Sequence, residues 1–362
     1  MTRPESTRQE VPGKGGSTSV SRRRFLGGAT ALSGAAALGL FSIPKVAFGK
    51  KFLRPIVVGS NARKGDPTYN AIALIPDILQ AKYNIEIPFQ LHHSSELGSD
   101  VDQVEAVQNG FIDVTSNSYQ NMGGFTKAWN WVNLPYSIVS REAAYRIYKS
   151  DLMAQAWAGA EKDMGVKVLS QIDGGGFRLL SNSKRPLRMP ADVQGLKFRV
   201  TQSPVDAAIV RAWGGNPTPI PWTETYTSIK QGVVDGMHVQ PIWTFGFRFY
   251  EVLKYATEVG GAYSFDVAIM NRNTWNIFPK DVQEAIMKAA EEAATQANRQ
   301  DAEAEAQMLR NLKEKGMVVH TPTGDQMKLW RAAAAGVWEE FATEKYGVTK
   351  AQLDRIRELN NI

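Results

Sequence analysis

Seven short apolar runs, "PIVVGS", "IEIPFQL", "FIDVTS", "VKVLSQI", "FRLLSNS", "LKFRV" and "VVDGM", punctuate the chain, with amphipathic stretches between them. Strand-length apolar segments that alternate with helical patterns bury their faces by layering, so the alternation argues for an α/β fold with a mostly parallel sheet. Two of the runs follow the same local plan. "VQNGFIDV" (Val107 to Val114) and "IKQGVVDG" (Ile229 to Gly236) both read as helix end, glycine, apolar pair and aspartate. Gly110 and Gly232 suit left-handed helix C-caps, and each apolar pair is expected to start a buried strand. The echo is either the mark of two similar lobes or a common helix-to-strand turn that occurs twice.

From Asp281 to Lys315 no proline or glycine interrupts the chain, and Val282, Ala285, Ile286, Ala289, Ala293 and Ala297 recur at helical spacing. As one helix this segment is about 52 Å long, against about 30 Å for a small domain. It is expected to run across both lobes or to break near Asn298. Pro279 and Gly316 are the expected boundary residues. The charged, alanine-rich part, "EEAATQANRQDAEAEAQ", reads as a solvated helix face.

"SRRRFLG" (Ser21 to Gly27) carries a twin arginine, and an uncharged stretch follows it to Pro44. This is a twin-arginine (Tat) export signal in type. The stretch is long enough to span a bilayer, but its glycines and alanines keep it weakly hydrophobic, as a cleavable segment is. "AFG" (Ala47 to Gly49) supplies small residues for cleavage, which places residues 1–49 in the signal and the mature start near Gly49/Lys50. Residues 1–49 hold seven Lys/Arg and two Glu, which is five of the whole chain's six net positive charges. The mature protein is therefore near neutral, and its charge supports neither a nucleic-acid nor an acidic-membrane partner. The absence of cysteine excludes a disulfide framework, a thiolate metal site and a cysteine nucleophile. Stability must come from a core.

Catalytic and cofactor motifs are missing. The histidines, His92, His93, His238 and His320, show no metal-ligand spacing, and there is no G-x-S-x-G elbow or Walker sequence. "DGGGFRLL" (Asp173 to Leu180) is glycine-rich but leads into an apolar strand, so no helix N-terminus waits there for a phosphate. It reads as a crossing between lobes, with a second crossing at Tyr263 to Phe265. Trp129, Trp131, Trp243, Phe245 and Phe247 read as core aromatics.

Basic residues at strand ends are the informative feature. In "QGLKFRVTQSP" (Gln194 to Pro204) the apolar side is Leu196, Phe198 and Val200, and the other side carries Lys197 and Arg199 just before a break. Arg178 alternates with Phe177 and Leu179 in the same way. Open α/β sheets bind ligands outside the carboxyl ends of their strands, which in a two-lobed protein is the cleft. Arg199 is thus either a ligand clamp or a solvated edge charge.

The runs "RLLSNSKRPLRMPADVQGLKFRV" and "GGNPTPIPWTETYTSIKQGVVDG", with "LGSDVDQVEAVQNGFIDV" (Leu97 to Val114) and "NLPYSI" (Asn133 to Ile138), resemble the solute-binding proteins of tripartite ATP-independent periplasmic (TRAP) transporters, the DctP-like family. The resemblance covers essentially the whole mature chain. It implies a two-lobed α/β periplasmic binding protein fold with crossing hinge strands and a long helix spanning both lobes. Lobe I is expected at residues 50–175 plus about 265–305, and lobe II at 176–264 plus about 306–362. It implies a periplasmic binding function without turnover or cofactor. The expected ligand is a small organic acid, a carboxylate or a sulfonate, and the expected partners are small and large integral membrane TRAP subunits.

By the same resemblance Arg199 pairs with the ligand carboxylate and Arg178 is a second arginine near it. Trp222 is an aromatic wall residue, Gln202 follows the clamp strand, Asn117 and Ser118 are first-lobe pocket positions, and Asn61 ends the first strand. One departure stands out. Family members often show "DGQEN" where this chain reads "DGMHVQP", so Val239 replaces an asparagine that touches the carboxylate, and either His238 or Gln240 is left to substitute. An exported enzyme acting on an organic acid, or a binding module of a sensor, are the other classes the sequence leaves open.

Overall fold

The computed structural model describes residues 50–52 and 54–361. The twin-arginine segment and the cleavage site up to Gly49 lie outside the described residues. Among the described residues no helix is long and apolar enough to cross a membrane.

Two large sheets organise the fold. The first has five strands in the order Phe89–His92, Ile56–Ser60, Val114–Ser118, Tyr263–Asn271 and Val166–Phe177. The second has six, in the order Val318–His320, Tyr255–Thr257, Leu179–Asn182, Gly236–Val239, Lys197–Val200 and Asn216–Pro219. Helices cover them, as the alternation of patterns requires. The expectation of a mostly parallel sheet needs correction, because both sheets are mixed. Tyr263–Asn271 runs antiparallel to both its neighbours, and so does Leu179–Asn182. The cause is the crossing itself. One strand carries the chain out of the first lobe and the other brings it back, so the two must pair in opposite directions.

The crossings fall where the glycine run predicts. Tyr263 pairs with Phe177 and Phe265 with Asp173, with a register shift between Ser264 and Phe265. Gly175 and Gly176 hold φ of 99° and 79°, a region that side chains disfavour. A Cβ on Gly175 would lie 2.3 Å from Ile242 Cγ2. The Asp173 side chain accepts from both amides, Gly175 N at 3.2 Å and Gly176 N at 3.1 Å.

Lys280–Glu314 is one unbroken helix of 35 residues. It packs on the helices Pro67–Ala73 and Ile75–Tyr83 beside the first sheet, and on the helix Pro241–Gly246 and the strand Val318–His320 of the second sheet. Buried Ala285, Ala289, Ala293 and Ala297 let it approach those partners closely. Residues 291–300 of the alanine-rich segment are therefore solvated on one face only. Asn298, the residue where a break was one expectation, instead accepts from Asp173 N at 2.7 Å and ties the helix to the crossing strand.

The internal echo has a structural content. Asp113 N donates to Val57 O and Asp113 Oδ2 accepts from Val57 N, both at 2.9 Å. In the second sheet Asp235 N donates to Lys197 O at 2.7 Å and Asp235 Oδ2 accepts from Lys197 N at 2.8 Å. In each sheet the aspartate doubles as a strand residue that starts the parallel pairing. Gly110 and Gly232 take the left-handed conformation as expected, with φ of 76° and 73°. The apolar pairs after them are split, however: Ile112 and Val234 are buried, whereas Phe111 and Val233 are exposed. The turn rotates one side chain of each pair outward before the strand begins.

Trp129 and Trp131 are core residues. Lys350–Asn360 lies against Arg141–Tyr148, with Asn360 Nδ2 donating to Ser137 O at 2.7 Å.

Candidate functional site

A cavity lies between the two sheets, with about 470 Å³ of space free of protein atoms, part of it open to solvent. That size suits a small molecule. Arg63, beside the first sheet, reaches across and donates to Gly246 O, while its guanidinium sits 5.4 Å from the Phe247 ring centre. From the other side, Gln240 Nε2 and Trp243 Nε1 donate to Gly174 O of the crossing strand, at 2.8 and 3.1 Å.

The second-lobe wall is cationic. On Lys197–Val200 the alternation holds, but only Lys197 of the polar side is exposed. Arg199 faces the cavity and is 3% exposed. Its Nε donates to Ile220 O at 2.9 Å, and its guanidinium lies 5.5 Å from the Trp222 ring centre. Burial lowers its pKa to about 10, opposed by Asp100 and Asp206, so it stays charged at neutral pH. Among the described residues no carboxylate comes within ion-pair distance of it.

Arg178 is equally buried but differently placed. Nε donates to Ser264 Oγ at 2.8 Å, and Nη1 donates to Asp206 Oδ2 at 3.1 Å and to His238 O at 3.3 Å. Asp206 stands in the first turn of Pro204–Ala212, which Ser203 caps. It also accepts from Thr201 N and Oγ1, both at 2.9 Å, and from His238 Nδ1 at 3.0 Å. Burial would raise its pKa, but Arg178 and His238 hold it far below the ordinary carboxylate range. His238 is itself kept neutral by burial, against the pull of Asp206. With Nδ1–H donated to Asp206, its Nε2 is buried without a partner.

The first-lobe wall is acidic and rich in amides. Asp100 Oδ1 accepts from Asn61 Nδ2 and from Asn121 Nδ2, the latter at 2.7 Å. Asn61 Nδ2 also donates to Asn117 Oδ1 at 2.8 Å, and Gln103 Nε2 donates back to Asn61 Oδ1 at 2.8 Å. Asp266 Oδ2 accepts from Thr68 Oγ1 at 2.8 Å. Burial lifts Asp100 to about 6 and Asp266 to about 7.

Of the residues nominated from the sequence, Arg199, Arg178, Trp222, Asn61, Asn117, Ser118 and Gln240 line this cavity. Gln202 does not: it is exposed and outside the lining. The strand ends at Val200, and Thr201 rather than Gln202 turns inward to Asp206. His238 is also absent from the lining and lies behind it, against Asp206 and Trp213. Val239 lines the cavity, and Gln240, freed from strand alternation as the N-cap of Pro241–Gly246, joins it, although its amide nitrogen is spent on Gly174. Sequence reasoning missed Asp100, Asp266 and Trp243. Trp243 was assigned to the core, whereas its ring packs 5.5 Å from that of Trp222 at the cavity edge. A lone aspartate inside the fully buried run "YSFDVAIMN" was a usable signal for Asp266. Asp100 follows the Ser99 cap and reads as an ordinary first-turn acid. Among the described residues no cluster suited to a metal ion occurs.

Comparison with known proteins places this geometry in a family. The model of the bacterial extracellular solute-binding protein family 7 (DctP) matches residues 58–345. The chain is 28% identical to the C4-dicarboxylate-binding periplasmic protein DctP of Rhodobacter capsulatus, over 88% of this chain and 94% of that one. It is 27% identical to the 2,3-diketo-L-gulonate-binding periplasmic protein YiaO of Escherichia coli, over 73% and 80%. Among solved structures, a TRAP periplasmic solute-binding protein from Ochrobactrum anthropi, with its C-terminus bound in the ligand pocket, superposes with a TM-score of 0.75 at 26% identity, over 87% and 96% of the two chains. These are binding proteins of transporters, not enzymes, which removes the exported-enzyme alternative. A two-lobed α/β chain with crossing strands, a lobe-spanning helix and a buried arginine in its cleft, this protein belongs to the extracellular solute-binding protein family 7, the DctP-like binding proteins of TRAP transporters.

Proposed function

We propose that this protein captures a small organic anion between its lobes and delivers it to the small and large integral membrane subunits of a TRAP transporter. The carrying observation is Arg199, a buried guanidinium that lines the cavity without a carboxylate of its own. A planar fork of donors recognises a carboxylate bidentately and fixes its orientation. Sulfonate presents similar acceptors. The relatives named for C4-dicarboxylate and 2,3-diketo-L-gulonate support an acid as the ligand.

In this proposal Trp222 walls the anion, and Asn61, Asn117 and Ser118 meet it from the first lobe. Gln240 lines the cavity beside Val239, with its Nε2 already donating to Gly174 O. Arg178 contributes positive potential rather than a direct fork, because Asp206 already occupies it. His238 acts from behind, through Asp206. We place lobe I at residues 50–175 plus about 265–305 and lobe II at 176–264 plus about 306–362, except that the terminal helix Lys350–Asn360 packs on Arg141–Tyr148 of lobe I, and a ligand touches both lobes only in the closed form. The protein works in the periplasm after Tat export and cleavage near Gly49/Lys50.

A thermal-shift screen across organic acids tests the function. A ligand at 100 times its Kd stabilises the native state by about 2.7 kcal/mol, which is readily seen. At least one carboxylate or sulfonate is expected to give such a shift. A flat response across mono-, di- and hydroxy-acids and their sulfonate analogues would contradict the proposal.

A further inference from the structure

The two walls of the cavity differ in the chemistry they offer. The second-lobe wall supplies the free guanidinium of Arg199. The first-lobe residues that line the cavity include no lysine, arginine or histidine; their charged members are Asp100 and Asp266, 6% and 4% exposed. Neither forms an ion pair within the described residues. The protein's own hydrogen bonds fall on one oxygen of each: Oδ1 of Asp100, from Asn61 and Asn121, and Oδ2 of Asp266, from Thr68. A ligand held by Arg199 therefore meets two buried carboxylate acceptors on the first-lobe wall.

We propose that the ligand is a hydroxylated monocarboxylate, whose carboxylate pairs with Arg199 and whose hydroxyls donate to Asp100 and Asp266, and that a second carboxylate is rejected there. This rests on the anion-capture function above and narrows it to a substrate class. A buried carboxylate facing a like charge is costly, whereas a hydroxyl supplies the donor that the carboxylate lacks. Burial raises both aspartates, to about 6 and about 7, so donors from the ligand also favour their ionised forms. Hydroxyls fit better than an ammonium. The amides of Asn117 and Asn121 and the hydroxyl of Ser118 offer donors as well as acceptors to the same space, and a hydroxyl uses both while an ammonium only donates.

The test is calorimetric titration of the wild-type protein at about pH 8 with D-erythronate, D-glucuronate, succinate, butyrate and 4-aminobutyrate. At least one of the two hydroxy-acids is expected to bind about a hundredfold tighter than succinate and more than about tenfold tighter than butyrate. Asp100→Asn and Asp266→Asn, with folding checked by circular dichroism, are expected to shrink the preference over succinate by about tenfold or more. Should either variant not fold, the wild-type series alone decides. Succinate binding as well as the hydroxy-acids would overturn the rejection of a second carboxylate. Butyrate binding equally would show the ligand hydroxyls to be idle, and 4-aminobutyrate binding tightest would replace hydroxyls by an ammonium. In each of those cases anion capture stands while this inference falls. Binding of none of the five probes overturns this inference, and the wider thermal-shift screen then decides anion capture.

Discussion

Arg178 is matched inside the protein by Asp206, at 3.1 Å, while Arg199 on the same wall of the cavity has no such carboxylate. This divides two buried guanidinium groups into a fixed charge and a waiting one. Asp206 is the keystone of the fixed half, since it also takes Thr201 and His238. Asp206→Asn leaves Arg178 buried without its counter-charge and removes an acceptor from His238. Breaking one side of a buried pair costs about 3–5 kcal/mol, and denaturant unfolding of the ligand-free variant is expected to show a loss in that range. A loss below about 1 kcal/mol would mean that Arg178 finds solvent instead.

The acidic wall sets a pH dependence of the opposite sign from the usual carboxylate. Asp266 is raised from 3.8 to about 7 by burial first, with Asp100 and Asp173 raising it further against Thr68 and Arg178. Asp100 is raised to about 6, again by burial, with Arg199 opposing. Carboxyls with higher pKa folded than unfolded bind more protons in the folded state, so their contribution falls as pH rises from about 4 to about 7 and is flat beyond. Asp266→Asn is expected to stabilise the ligand-free protein by about 1–4 kcal/mol at about pH 8 and to change it little at about pH 4. Equal effects at both pH values in thermal unfolding would show that Asp266 does not titrate across this window.

Gly175 is where the first crossing is tightest. At φ of 99°, with a Cβ position 2.3 Å from Ile242 Cγ2, an alanine there meets both backbone strain and a clash. Left-handed backbone costs an ordinary residue about 1–2 kcal/mol, so Gly175→Ala is expected to lower stability by at least that much. Adding Ile242→Ala removes the clash and not the strain, and is expected to recover part of any excess loss. No recovery in the double variant would locate the whole effect in the backbone.

The crossings, the long helix and the paired glycine turns were legible because each rests on a local rule: backbone freedom or periodicity. Strand alternation left Arg199 open between a clamp and a solvated edge, and the structure shows it buried at the cavity. Other features depend on tertiary placement, where local rules stop. Gln202 stands outside the cavity because the strand Lys197–Val200 ends before it and the next inward residue is Thr201. His238 gave no sign that its partner is Asp206, which an intervening helix and strand bring to it. Asp100 looked like a helix-cap acid and is one, yet the same position turns its carboxylate toward the cavity. The antiparallel pairs were hidden because an apolar run does not carry its direction. Only the return of the chain at Tyr263 supplies that.

Export lies beyond the described residues and has its own test. The twin arginine in "SRRRFLG" is read by a receptor rather than by charge alone, so replacing both Arg22 and Arg23 by lysine is expected to hold the protein inside the cell. Cell fractionation with normal periplasmic yield of that variant would point to the general secretory route instead.

Arg199 as the ligand's anion clamp is the central claim, and calorimetry on Arg199→Ala tests it most directly, with the acid that gives the largest thermal shift. Losing one partner of a buried charge pair costs about 2–5 kcal/mol, so at about 1.4 kcal/mol per decade the affinity is expected to fall by roughly thirtyfold to a few thousandfold. Arg199→Lys is expected to restore only part of it, because a point charge replaces the planar fork. Unchanged affinity in a folded Arg199→Ala protein would contradict the account and transfer the clamp to Arg178.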